Sequence, residues 1–303
     1  MRSYNNLGAA LPPEENERML GCAEKGYELA RKVGDISMQS WTGLWLGWGN
    51  IGIGNMNRAV LLSEESVALD RKAGLMTHLA ISLALLGVVY QILGEWDKSE
   101  QYHREASSII QRINEWQITS VGNWAHGWLY LEKGEHVKAR GLFEKVCEII
   151  EKVGAKSALM DMLQLGKRWL IWTCIELGEN EKADELIDGM QKSGLETKEK
   201  GLTASADALQ AMLFRAEKRW DESMVLFEKS LRQFEELGAR QWNVYVFAKM
   251  VLCEYARALL ERNQEGDKEK AHNLLNQALE IFQKMGAKKD IEKIIAKKKL
   301  LTA

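Results

Sequence analysis

Residues 83–106, L-A-L-L-G-V-V-Y-Q-I-L-G-E-W-D-K-S-E-Q-Y-H-R-E-A, decide the fold. Two segments with helical apolar spacing flank a turn at Gly94, and small residues stand where two antiparallel helices must approach. The arrangement repeats along the chain. Its turn recurs at Gly54, Gly94, Gly134, Gly178, Lys218 and Gly266. Five residues after each comes a small side chain: Ala59, Ser99, Ala139, Ala183, Ser223 and Ala271. One small residue per unit, always at the same place, means two helices touch there almost backbone to backbone.

A second ladder closes each unit. Gly34, Gly74, Gly154, Gly194, Gly238 and Gly286 end helical segments, and Asn114 takes the remaining slot, at spacings of 40, 40, 40, 40, 44 and 48 residues. Gly and Asn are the residues that tolerate the left-handed conformation of a helix C-terminus. A third ladder, Gly8, Gly47, Gly87 and Gly127, falls inside the first helix of each unit. Glycine there costs roughly 1 kcal/mol relative to alanine, so close packing against the paired helix is the expected compensation.

The extra lengths of 4 and 8 residues correspond to about one and two helical turns, which keeps the apolar face in phase. This reading shortens the helix before Gly194 to 180–192 and makes 240–264 one long helix. The chain is expected to be all-α, a right-handed α-solenoid (superhelix) in one repeat domain, 1–303. Its seven hairpins fall at 2–34, 38–74, 76–114, 117–154, 156–194, 197–238 and 240–286, with a C-terminal capping helix at 288–300. The cap carries Ile291, Ile294 and Ile295 on one stripe with lysines opposite.

Composition narrows the classes. Hydrophobic residues make up 46% and charged residues 28%, as in a soluble packed protein. The only prolines, Pro12 and Pro13, leave the rest of the chain free of helix breakers. A net charge of −2 provides no global field for nucleic acid or an anionic membrane. The four cysteines (Cys22, Cys147, Cys174 and Cys253) are widely spaced and read as reduced core residues of a cytoplasmic protein. Met1–Pro13 has no secretory signal pattern, and the apolar run 79–90 is too short to span a bilayer.

The motif L-G-x-x-Y-x-x-x-G-E-W-D-K-S at 86–99, with Ala106 beyond it, resembles the tetratricopeptide repeat. So do 129–143, 219–227 and 266–271. Two departures stand out: the period is near 40 rather than 34, and the customary loop proline is missing. Repeats of this length resemble the helical regions of bacterial and archaeal signalling ATPases, nucleotide cyclases and transcription regulators. Residues 3–8 already read as the first helix of a repeat, which fits a section of a longer protein.

Function then rests on the inner face of the first helices, the concave face in the family it resembles. Eleven tryptophans are distributed along the chain. Trp96 and Trp220 follow the turn and read as packing residues, while Trp45 and Trp169 belong to the core or its edge. Trp41, Trp48, Trp124, Trp128 and Trp172 share the inner face as stacking anchors. Gln91, Arg168, Met212 and Arg215 continue it, with Val88 leaving a gap between Trp48 and Trp128. The five histidines have no i, i+4 partner, no phosphate loop follows the glycines, and no nucleophile motif is present. The expected function is a non-enzymatic scaffold that binds a protein or peptide segment in an aromatic groove. No metal, cofactor, nucleic acid or membrane is expected. The alternative is a small-ligand sensor section of a larger signalling protein, and self-association is a third reading.

Overall fold

The computed structural model describes residues 13–113, 115–153, 158–238 and 243–302. The first-helix residues 3–8, with Gly8, and the helix ends expected at Asn114 and Gly154 lie outside them. The chain gathers into two compact units, Met1–Leu170 and Ile171–Ala303.

The first unit holds α1 (Pro13–Val33), α2 (Ile36–Gly52), α3 (Met56–Ala73), α4 (Met76–Ile92), α5 (Trp96–Ile113), α6 (Trp116–Glu132), α7 (His136–Val153) and the start of α8 (Ala158–Leu177). Hairpins form between α2 and α3, α4 and α5, and α6 and α7, and the first helices α2, α4 and α6 lie side by side. The glycine ladders do what their spacing implies. Gly54, Gly94 and Gly134 sit at φ 76–79°. Each donates its N–H three residues back, at 3.0 Å, to Ile51, Gln91 and Leu131 in turn. Gly34 and Gly74 end α1 and α3 in the left-handed conformation, and Leu75 N–H then bonds back to Asp70 O at 3.0 Å. Asp35 caps α2 by accepting from Met38 N–H at 3.0 Å.

The mid-helix glycines make room for one register position of the partner helix. A Cβ on Gly47 would meet Ser63 Oγ at 3.1 Å, on Gly87 the His103 ring at 2.5 Å, and on Gly127 the Phe143 ring at 2.9 Å. Ser63, His103 and Phe143 are spaced by 40, so the notch is constant and its filling varies. Ala59, Ser99 and Ala139 are fully buried in this unit, as are Ala183, Ser223 and Ala271 in the second.

The second unit continues with α9 (Asn180–Thr197), α10 (Lys200–Ala216), α11 (Trp220–Glu236), α12 (Val244–Val246), a π-helical segment Phe247–Cys253, α13 (Glu254–Arg262), α14 (Asp267–Met285) and α15 (Lys288–Thr302). Three expectations are corrected here. Helix α9 does not stop near Gly194: its left-handed cap is Lys198 at φ 60°. Gly194 instead lets α10 approach, since a Cβ there would meet Thr203 Cγ2 at 2.8 Å. The long helix expected at 240–264 takes part of its extra length in the π segment, whose wider turn absorbs inserted residues. Its left-handed turn falls at Asn263, with Gly266 serving as N-cap of α14.

Helix α15 docks on α14, and Asp290 accepts from Tyr245 Oη at 2.9 Å and Lys249 Nζ at 2.5 Å. Ile294 is buried, but Ile295 faces solvent, so the cap's apolar stripe is narrower than its sequence implies. Cys22 is also exposed rather than a core residue, whereas Cys174 is buried. No helix among the described residues is long and apolar enough to cross a membrane.

Candidate functional site

Along α2, α4 and α6 the repeat stacks equivalent positions on neighbouring helices. Trp41, Ile81 and Val121 form one such row, and Met38, His78 and Ile118 form another one turn earlier. The side chains in the first row shrink from α2 to α6. Space opens there: a pocket of about 240 Å³ is lined by Trp41 and Trp45 of α2, Thr77, His78 and Ile81 of α4, and Glu115, Gln117, Ile118 and Val121 at the start of α6.

Its aromatic wall is continuous. Trp41 and Trp45 meet edge to face at 5.5 Å and 80°, and the Trp41 ring lies 5.0 Å from the His78 imidazole. Behind His78 stands Asp70, fully buried, with Oδ1 3.9 Å from His78 Nδ1. Ser40 Oγ donates to Asp70 at 2.5 Å and Ser82 Oγ at 2.7 Å, tying α2 and α4 to α3. Burial pushes the Asp70 carboxyl above its ordinary range, while the two serine hydroxyls and His78 pull it back. Trp45 Nε1 and His78 Nδ1, on two of the lining residues, are buried without hydrogen-bond partners.

Two turns further along the same helices the surface is closed. Trp48 meets Trp124 edge to face at 5.7 Å, Trp124 lies 5.7 Å from Trp128, and Trp128 stacks on Trp169 at 4.8 Å. The gap expected beside Val88 is thus filled by Trp124, and Val88 itself is fully buried. Gly166 makes the seat for Trp124, because a Cβ there would meet the indole at 2.9 Å. Trp48 remains half-buried, and Trp124, Trp128 and Arg168 are buried. Desolvation lowers the Arg168 guanidinium to about 10. Gln91 is buried with neither side-chain amide atom hydrogen-bonded.

A second ring stack lies beside the Gly87 notch. His103 stacks on His126 at 5.2 Å, and His126 on Tyr130 at 4.5 Å. Burial drops His103 to about 3 and His126 to about 4, so both are neutral near pH 7.

In the second unit, Trp172 and Met212 are buried. Arg215, 5% exposed, is committed to an ionic network. Its Nη1 donates to Glu261 at 3.0 Å, and Glu176 lies 3.8 Å away. Arg257 bridges Glu176 at 2.8 Å and Glu261 at 2.9 Å. These charges satisfy one another inside the unit, which makes Arg215 a connector of α10 and α13.

The structure therefore brings together Trp41, Trp45 and His78 at an open pocket and packs Trp124 and Trp128 into a wall. Sequence reading singled out Trp41 but not His78, Glu115 or Trp45 as site residues. The signal was present: His78 lies 37 residues after Trp41, which under a period of 40 places it one turn away on the adjacent helix.

Residues 78–152 match the family model described as tetratricopeptide repeat. No curated protein matches the sequence. A solved Rap protein, in complex with Competence and Sporulation Factor, superposes with a TM-score of 0.62 at 13% identity. That alignment covers 94% of this chain and 80% of the other. A Signal Transduction ATPase with Numerous Domains from Pyrococcus horikoshii, with a tetratricopeptide repeat sensor, gives a TM-score of 0.54 at 15% identity. It covers 94% of this chain and 52% of that one. The fold is that of tetratricopeptide-repeat helical arrays.

Proposed function

We propose that this chain, with tetratricopeptide repeats from His78 to Lys152, is a non-enzymatic scaffold that binds a protein partner through a peptide segment. One side chain of that segment enters the pocket of Trp41, Trp45 and His78. The observation that carries the reading is the pocket itself. At about 240 Å³ it lies below the usual range of whole-ligand sites, roughly 300–1,000 Å³, and suits one large side chain. Three adjacent helices supply its walls, as expected of an anchor position in groove recognition. Trp48, half-buried on α2, extends the contact surface along the same helix.

Selection from a displayed random-peptide library on the purified chain tests this. Selected peptides should lose at least about tenfold in affinity for Trp41→Ala or His78→Ala, the loss expected of an aromatic anchor. Both variants should keep wild-type helicity. Peptides that bind both variants as tightly as wild type would remove the pocket from the function.

The pocket's position also supports a second reading, a ligand sensor within a larger signalling protein. An occupant touching α2, α4 and α6 together would bias their spacing, and so any module attached to the array. A thermal-shift series with sugars and nucleotides separates the readings. A saturable shift abolished by Trp41→Ala favours the sensor, and none favours the peptide scaffold.

A further inference from the structure

The charge at the pocket points to the chemistry of its occupant. Glu115 supplies the one carboxylate among the lining side chains, and no lysine or arginine lines the cavity. The Glu115 side chain makes no capping hydrogen bond to α6, and among the described residues it has no ion-pair partner. Three half-buried carboxylates of the same unit are engaged: Glu105 with Arg71, Glu95 with Lys98 and Glu135 with Lys138. The buried Asp70 carboxyl stands behind the aromatic wall, 3.9 Å from His78.

Two indoles at 80° and an imidazole offer ring faces and edges within one small cavity. Ring faces attract cations, most strongly on tryptophan, and a flat guanidinium stacks on them as well. An aromatic corner with a free carboxylate at its mouth is complementary to a basic side chain. A neutral apolar side chain would leave Glu115 without a partner, and an acidic one would be repelled by it.

We infer that the pocket recognises a positively charged side chain of the bound segment, with arginine the better fit. The inference rests on the peptide-binding reading, and it names the residue class that the pocket selects. It also predicts that segments carrying an acidic anchor are rejected.

Tryptophan fluorescence titrations with N-acetyl amides of arginine, lysine, citrulline, norleucine, phenylalanine and glutamate provide the test. Citrulline keeps the shape of arginine without its charge. Arginine amide should give a saturable change, with citrulline amide weaker by about tenfold, the scale of a partly desolvated cation–π contact plus an ion pair. Glu115→Gln should weaken arginine and lysine amides while leaving citrulline amide unchanged, and Trp41→Ala should remove the response. Citrulline, norleucine or phenylalanine amide binding as tightly as arginine amide, with the signal lost in Trp41→Ala, would overturn the charge inference and leave the pocket as an anchor site. Absence of any saturable response to arginine or lysine amide would overturn it too. The peptide-library selection decides the binding reading separately.

Discussion

Two stretches of the same helix face behave in opposite ways. Around Trp41 the equivalent positions on successive helices carry Trp, Ile and Val, and a pocket is left open. Around Trp48 the equivalents are Val88 and Trp128, and Trp124 from one turn earlier on α6 fills the space. Periodicity assigns both stretches to one face. Which is a site and which is core depends on the summed volume of side chains from three helices, and here a single large ring makes the difference.

The largest effect that tests this contrast is on stability. Trp128→Ala should destabilise the chain by about 3–5 kcal/mol, because a buried ring stacked at 4.8 Å on Trp169 leaves a cavity. A shift in the denaturant midpoint checks it. A change near zero would mean that the closed stretch is not core.

The stacked histidines should come next. His103 and His126 take up protons in the unfolded chain below about pH 6.5, but in the folded chain only near 3 and 4. Between those limits the unfolded state binds more protons. Stability is therefore fully present above pH 6.5 and falls with acidification, on the order of a few kcal/mol by pH 4. Burial is the main cause for both groups. Glu100, Arg104, Lys133 and Glu135 surround them, and the Lys133 ammonium holds Glu100 down to about 2, so it stays ionised through this window. Asp70, raised by burial, works in the opposite sense. The control is His103→Phe, which copies Phe143 in the equivalent Gly127 notch and should flatten part of the pH dependence measured by urea melts from pH 7 to 4.

A smaller loss is expected for Gly127→Ala. The added methyl would stand 2.9 Å from Phe143, and overpacking of about 1–3 kcal/mol outweighs a gain in helix propensity of roughly 1 kcal/mol. Calorimetry should show a modest fall in Tm, whereas a rise would mean that the ring shifts freely. Trp41→Ala should cost a comparable amount, about 1–2 kcal/mol in the denaturant midpoint, for a half-buried ring at the open end.

Helix positions were legible because three independent ladders constrained them. Gly54, Gly94 and Gly134 needed a left-handed turn, and Ala59, Ser99 and Ala139 needed contact. The miss at Gly194 is instructive. Its local sequence, Q-K-S-G, imitates a helix cap, but the turn ladder lengthens by four between Gly134 and Gly178. The cap ladder had to follow in the same step, which leads to Lys198. The π segment was not legible, because an insertion of this size can be absorbed as extra helical turns, a wider helix or a longer turn. The pocket was legible only in part. Trp41 lies on the face that periodicity assigns to the inside, yet His78 and Glu115 join it through contacts between repeats, which no single-helix pattern reports.

The contrast between open and closed stretches is tested most directly by fluorine NMR of the chain labelled with 5-fluorotryptophan, its resonances assigned by single substitutions. On adding a selected arginine-containing peptide, the Trp41 and Trp45 signals should shift, while those of Trp124, Trp128 and Trp169 stay in place. Shifts at Trp124 and Trp128 with Trp41 unmoved would contradict the account, placing the binding surface in the stretch assigned to core.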